Sequence, residues 1–340
     1  MELEPADEMP WNEWNEAIAS FDTATLYHNA AWLAFLENSG RGRPVRFRIF
    51  EDGEIAGYFV ALLVRKGPFR VLGSPLSGSM SEYMGPVIDR NFDGERFLRA
   101  LDRTCRERGI HHVEIGSSLL DPEDMAAHGY EKSTWMTFRI PLSMETDEMW
   151  RNLTSKCRNR VRKGLKNTLA VQDAQDPCFV DRHYRQLEEV FGRHGRPPPF
   201  AIDDLRSLVN ELALQDLVFT LQVEREATKD VVATGIFPHD EERVYSLSTA
   251  SRINARHLCP NELLHWEVMQ RAGRKGIQDY SIGDDYRIPE RGGRFKAKFN
   301  GDYVPVLRFM KYYSPAAKHA RAMYTTLHRL VERTYGWRAG

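Results

Sequence analysis

Two stretches decide how this chain is read: GIQDYSIG, Gly276–Gly283, and GIHHVEIG, Gly109–Gly116. Each follows a helical-looking segment and a short charged turn, Arg106-Glu107-Arg108 in one case and Gly273-Arg274-Lys275 in the other. Both read helix, turn, Gly-Ile, four residues, Ile-Gly. Gly109 and Gly276 stand where a helix ends in the left-handed conformation that glycine adopts without steric cost. The residues between them and the closing glycine then form a short strand. Gly116 and Gly283 open loops where a ligand could approach the backbone.

Around these joints the order of elements also repeats. The first half begins with short helices at Trp11–Ala19 and Ala30–Glu37. It continues with strands Val45–Phe50 and Ile55–Arg65 joined by Glu51-Asp52-Gly53-Glu54, an Asp-Gly hairpin signal. A Gly/Ser/Pro-rich loop comes next, then a helix near Phe92–Arg108, the repeated strand, a short helix near Asp121–His128 and a strand at Thr134–Leu142. The second half opens with one long basic helix over Thr146–Asn167 and two more near Val180–His194 and Ile202–Leu214. Three strands, LVFTLQVE, DVVATGIF and RVYSLSTA, lead to a helix over Pro260–Lys275. The repeated strand, a glycine-rich loop, the strand VPVLRFMKYY and a last helix over Ala316–Tyr335 complete the chain. The expectation is a duplicated mixed α/β (α+β) unit. It spans 1–143 and 144–313, and a closing helix at 314–340 can pack back on the first copy. The length of 340 residues agrees with two domains.

Bulk composition narrows the function classes. A net charge of −1 excludes a polyelectrolyte, so contact with nucleic acid has to come from a local patch. The four cysteines, Cys105, Cys157, Cys178 and Cys259, have no CxxC or Cys/His ligand spacing, and we expect no metal. The acidic N-terminus lacks the apolar core of a signal peptide, and the longest apolar run, Tyr58–Val64, is far too short to span a bilayer. A cytoplasmic location is expected.

Three local patterns, taken in order, resemble the FemAB-like acyltransferases of the GNAT superfamily. Glu82-Tyr83-Met84-Gly85-Pro86-Val87-Ile88-Asp89 is similar to the Gly-Pro-Val strand entry of the first Fem domain. Leu153 to Lys163 (LTSKCRNRVRK) is similar to the basic helix that opens the second. Gly293-Arg294-Phe295-Lys296-Ala297-Lys298-Phe299-Asn300-Gly301 is similar to the Phe-Lys-x-x-Phe segment before the last strand. The resemblance implies two tandem GNAT-like domains, each a mixed, mostly antiparallel sheet flanked by helices. It implies N-acyl transfer to an amine, with the acyl donor a co-substrate (aminoacyl-tRNA or acyl-CoA) and no tightly bound cofactor. The acceptor would be a peptidoglycan or polysaccharide precursor of the cell envelope. One departure touches that acceptor. The Fem pattern often carries a lysine soon after the tryptophan of the second helix, whereas Trp32 is followed by Leu-Ala-Phe-Leu-Glu.

The resemblance also assigns roles to Phe295 and Lys296, and the remaining candidates are read from the residues themselves. Phe295 and Lys296 are expected at the acyl donor, with Lys296 stabilising the oxyanion. Asp284 is a candidate to take or orient the proton of the attacking ammonium, and Asp285 and Arg287 to hold substrate. Tyr83, Gly85 and Pro86 would border the acceptor. Arg291 and Arg294 line the same glycine-rich loop as Arg287. An ordinary acetyl-CoA site has glycines whose amides face the pyrophosphate. SRINARHLCPNELL, in the equivalent place, contains none, which leaves Arg252, Arg256 and His257 to hold a phosphate by side chain. On the basic helix, Trp150, Leu153, Cys157, Val161 and Leu165 fall at core spacing. The remainder, including Arg158, Arg162 and Lys163, forms a patch suited to tRNA phosphates. Arg329, Arg333 and Arg338 add charge to the last helix. His194, His111 and His112 sit in no catalytic motif. No DNA partner is expected, and peripheral membrane contact is left open. Two other readings remain: a CoA-dependent N-acetyltransferase of an amino sugar, and a catalytically silent module binding RNA or a nucleotide sugar.

Overall fold

A computed structural model gives the fold. It describes residues 1–174, 176–193, 195–285 and 293–334, without the side chains of 284, 285, 293, 294 and 328–334. In chain order the first elements are β1 (Glu2–Pro5), α1 (Trp11–Ile18), α2 (Ala30–Asn38), β2 (Arg43–Glu51), β3 (Glu54–Lys66), β4 (Phe69–Ser74), β5 (Gly85–Ile88), α3 (Gly94–Glu107), β6 (His112–Ile115), α4 (Pro122–Ala127) and β7 (Glu131–Pro141). Next come α5 (Thr146–Asn152), α6 (Ser155–Lys166), β8 (Leu169–Asp173), α7 (Phe179–Gly192), α8 (Ile202–Ala213), β9 (Val218–Arg225), β10 (Val231–Pro238), β11 (Arg243–Tyr245) and β12 (Ser248–Ser251). The last are α9 (Pro260–Arg274), β13 (Asp279–Asp285), α10 (Gly293–Lys296), β14 (Asp302–Tyr312) and α11 (Pro315–Thr334). The class is α+β, with mixed and antiparallel sheets.

The repeated phrase is one piece of backbone chemistry written twice. After α3, Gly109 (φ +61°) donates its N–H to Arg106 O at 3.1 Å and Ile110 to Cys105 O at 2.9 Å. After α9, Gly276 (φ +82°) donates to Gly273 O at 2.9 Å and Ile277 to Ala272 O at 3.0 Å. Both are Schellman closures, which satisfy helix carbonyls and turn the chain back toward the sheet. Ile110 and Ile277 are buried in their respective cores. Each following strand lies between a parallel and an antiparallel neighbour. β6 has β4 on one side and β14 on the other; β13 has β11 and β7.

Among the described residues the contacts divide the chain into Met1–Trp135 with 305–334, and Met136–Val304. Sequence order alone would leave β7 with the first copy and β14 with the second, but the pairing exchanges them. Pro141 to Met136 run opposite Asp279 to Asp285, and Phe309–Tyr312 run opposite Ile115–His112. The boundary expected near Pro141–Thr146 therefore differs from this division. Strand order cannot reveal such an exchange, because either strand would satisfy the same edge with backbone hydrogen bonds.

In the first unit, β2 and β3 form the expected hairpin, with Asp52 (φ +51°) and Gly53 (φ +91°) at its tip. Val45, Phe47, Ile49, Phe59 and Phe97 fill the core between this sheet and α3. In the second, β12-β10-β9-β8 is a separate antiparallel sheet. Leu221, Val223, Phe237, Leu264 and Trp266 contribute to the core around α9. Three expectations change. The long helix over Thr146–Asn167 is broken, because Leu153 is extended (ψ 144°) and Thr154 caps a new helix, accepting Cys157 N at 3.2 Å. RVYSLSTA becomes β11 and β12 in different sheets. Leu165, expected in the core, is exposed. Gly164 takes the inner position, where a Cβ would stand 3.4 Å from Leu263, so α6 lies close on α9.

Both units bury histidines. Burial pushes His28, His112, His183 and His239 down to about 4 and His265 to about 3, from 6.5. His183, for example, sits between Thr234 Oγ1 (2.8 Å) and Ser248 Oγ (2.7 Å). As pH falls through 6.5 the unfolded chain takes up protons that the folded chain refuses until about pH 4. Stability should therefore be level above pH 6.5 and fall steadily from there toward pH 4. Urea midpoints measured across that window test this, and a flat midpoint would contradict it.

Candidate functional site

In the second unit the chemistry-bearing residues gather where β13, α10 and the start of α9 meet. Lys296 ends α10, and its half-buried Nζ donates to Gly283 O at 3.0 Å. Gly283, at φ +57°, is the glycine that closes the second repeated phrase. Phe295 packs edge-on against His265 (5.3 Å between centroids) and Phe299 (5.4 Å). His265 Nδ1 meets the Tyr280 hydroxyl at 2.5 Å. Burial, reinforced by the charges of Lys296 and Lys298, keeps that imidazole neutral. Lys298 Nζ lies 4.7 Å over the Phe295 ring and pairs with the buried Glu262 carboxylate at 2.6 Å. Glu262 belongs to the first turn of α9, where the helix dipole favours a negative charge. Gly301 completes the motif. A Cβ there would stand 2.1 Å from Arg139 O, so only glycine fits against that strand.

Beside this cluster, Ser155, Lys156, Asn159, Arg160, Lys163 and Cys259 line an open cleft of about 520 Å³. Cys259 precedes α9 in the left-handed conformation (φ +64°), and Pro260 takes the first helical position. Proline has no N–H, so the helix offers one amide fewer to an anion. The cleft's positive charge comes from side chains of α6.

The basic helix resolves residue by residue. Lys163 lines the cleft. Arg158 is turned onto backbone: its Nη1 donates to Leu153 O and to Arg151 O (3.0 Å), capping the end of α5. Arg162 lies over the Trp150 ring at 5.3 Å and reaches Asn159 Oδ1 at 3.3 Å. Arg252 and Arg256 are exposed on the turn before α9 and are not among the cleft-lining residues. Asp284 and Asp285 end β13, opposite Thr137 and Met136. Arg287, Arg291, His194 and Arg338 lie outside the described residues. Lys156 and Arg160 were legible only as members of the basic helix and Lys298 only within its motif, while Glu262, His265 and Tyr280 escaped the sequence reading. The spacing Lys156, Arg160, Lys163 was a visible signal for one helical face; the others carried none.

In the first unit, Tyr83 donates from its hydroxyl to Pro305 O at 3.1 Å. Gly85 (φ +99°) donates to Ser74 Oγ at 2.8 Å, and a Cβ there would stand 2.8 Å from Ser117 Cβ. Pro86 lies in β5 opposite Phe59. Gly85 thus sits at the start of β5 where an added Cβ would collide with the Ser117 side chain.

Residues 152–296 match the sequence profile of the acetyltransferase (GNAT) domain. Among solved structures, FemX superposes with a TM-score of 0.74 at 15% identity, covering 94% of this chain and 99% of that one. The fold is the one seen in FemX. L-PGS from Bacillus licheniformis shares this fold with a TM-score of 0.56 at 14% identity, over 100% of this chain and 99% of that one. A tandem GNAT protein from the clavulanic acid biosynthesis pathway matches with a TM-score of 0.54 at 11% identity, over 92% and 99%. No curated protein matches the sequence. No described helix is long and apolar enough to cross a membrane.

The capping role of Arg158 and the cleft-lining role of Lys156 and Lys163 separate experimentally. Arg158→Ala should cost about 1–2 kcal/mol, the scale of hydrogen bonds from a charged donor. Lys156→Ala and Lys163→Ala, on exposed side chains, should leave stability within about 0.5 kcal/mol of the parent. Urea denaturation of the three variants decides; equal stability of all three would remove Arg158 from its capping role.

Proposed function

We propose that this protein is an N-acyltransferase that moves an aminoacyl or acyl group from an activated ester to an amine on a peptidoglycan or polysaccharide precursor, acting in the cytoplasm. The observation that carries this reading is the Lys296 ammonium, held at the Gly283 carbonyl beside Phe295 in a site with the FemAB-like fold. A neutral acceptor amine attacks the donor carbonyl carbon. Lys296 stabilises the negative charge that develops on the carbonyl oxygen. Collapse breaks the ester C–O bond, and the leaving oxygen takes a proton as the amide forms. Asp284, at the end of β13, is the residue assigned to the amine proton, and Asp285 and Arg287 to substrate. Tyr83, Gly85 and Pro86 are the residues assigned to the acceptor.

An RNA-linked donor is favoured by the cleft's cations. Lys156, Arg160 and Lys163 rise about 6 and 10 Å along α6, a spacing suited to successive phosphodiesters more than to one pyrophosphate. The match to an acetyltransferase (GNAT) domain supports a second reading, acetyl-CoA as donor and an amino sugar as acceptor, with Arg252 and Arg256 holding phosphate.

The test is transfer detected by mass spectrometry, with charged tRNA in one reaction and acetyl-CoA in another, over a pool of muropeptide and amino-sugar acceptors. Product is expected from charged tRNA. Lys296→Met should lower kcat by at least about 100-fold while RNA affinity holds. Replacing Lys156, Arg160 and Lys163 together with alanine should reduce the slope of log affinity against log salt by about two. Product from acetyl-CoA alone would select the second reading. Full activity in Lys296→Met would remove the lysine from the chemistry, and failure of wild type with every donor would favour a silent binding module.

A further inference from the structure

Glu114 occupies the first repeated phrase at the position where the second has Ser281. It is fully buried. A buried carboxylate is costly unless charge and hydrogen bonds compensate it, and here the compensation arrives from two directions. Glu114 Oε2 accepts from Ser77 N at 2.7 Å and from Ser77 Oγ at 2.6 Å. Oε1 takes the guanidinium of Arg321 from the C-terminal helix α11. The same guanidinium nitrogen lies 3.4 and 3.5 Å from the ring nitrogens of His112, which stacks on Tyr312 at 4.5 Å. Arg321 and Ser77 hold the Glu114 carboxyl down to about 2, so it stays charged throughout the neutral range.

Ser77 begins a serine-rich loop between β4 and β5 that leads directly into Tyr83, Gly85 and Pro86. A second arginine crosses the loop: Arg308 Nη1 donates to Ser77 Oγ at 2.9 Å and Nη2 to Ser81 O at 3.5 Å. Trp32 Nε1 donates to Ser81 Oγ at 2.9 Å. Inside the loop, Gly78 (φ +84°) and Met80 (φ +62°) are left-handed. For methionine that conformation is strained and persists only when its surroundings over-determine it. One carboxylate thus ties a strained loop to a helix more than two hundred residues later.

We propose that Glu114 and Arg321 are positioning residues: the C-terminal helix, through this pair, locks the Ser77–Tyr83 loop in the shape that receives the acceptor. The acceptor role of the loop rests on the reading given under Proposed function; the lock itself does not. Arg321 is anchored for this task, because its helix is held to the same unit by the buried Ala317 and by Lys318 on Glu131 at 2.5 Å.

Hydrogen exchange read by mass spectrometry on the full chain tests the lock without any substrate. In Arg321→Ala, exchange of the peptide covering Leu76–Met84 should rise by about tenfold or more. The β2–β3 hairpin should keep its wild-type exchange. Glu114→Gln should behave alike, Arg321→Lys should restore part of the protection, and Thr326→Ala, exposed on the same helix, should change nothing. Wild-type exchange at the loop in Arg321→Ala, or an equal rise across the whole unit, would overturn the proposal. In the transfer assay the acceptor KM should rise about tenfold in Arg321→Ala, with kcat and donor KM unchanged. A loosened loop with an unchanged acceptor KM would overturn the positioning role while leaving the Lys296 chemistry standing. If wild type transfers to no acceptor, it is the functional reading that fails, and the exchange data still decide the lock.

Discussion

The helix-to-strand joint at Gly109 and Gly276 is the constraint on which both units rest. A helix must satisfy its last carbonyls, and a strand must begin with its side chains facing the right way. A left-handed glycine does both within three residues, and it delivers a buried isoleucine to the core in the same step. That geometry sets the course of the chain beyond the joint. The strand runs parallel to a strand that precedes its helix and meets a second glycine, which follows β6 and lies within β13. In the second unit that glycine's carbonyl is the acceptor for Lys296.

The two copies use this common joint differently. In the second, the strand carries Tyr280 and Ser281. Tyr280 joins His265 in a buried pair beneath Phe295, so the interior there is neutral beside a cluster of cations. In the first, the corresponding strand carries Glu114, and the interior is built around a charge that needs partners from distant segments. A shared backbone has thus been given two electrostatic interiors. One holds a cation near a carbonyl, and the other holds a loop.

Charge on the basic helix shows how little composition alone decides. Arg158 and Lys163 are five positions apart on one helix, yet Arg158 is occupied by carbonyls at the end of α5 while Lys163 faces an open cleft. A single guanidinium nitrogen of Arg158, Nη1, serves these carbonyls. Its neighbours at the spacing of Lys156, Arg160 and Lys163 share the exposed face. The break at Leu153–Thr154 makes this possible, since it creates the helix end that Arg158 caps.

The sequence by itself determined what is local. The duplicated joint, the Asp52-Gly53 hairpin and the Phe295-Lys296 segment are all written within a few residues. Glycine conformations, caps and periodicity act over that range. The tertiary structure alone decided what depends on distant partners. β7 and β14 are exchanged between the copies because either strand could satisfy the same backbone edge, and only packing chooses. Leu165 yields its core place to Gly164 because α6 must come close to Leu263. Glu114 looks like one more acid in a strand until Ser77 and Arg321, far from it in sequence, meet on its carboxylate. Hydrogen bonds and burial between segments so far apart leave no periodic mark on the chain, so their consequences become visible only when it is folded.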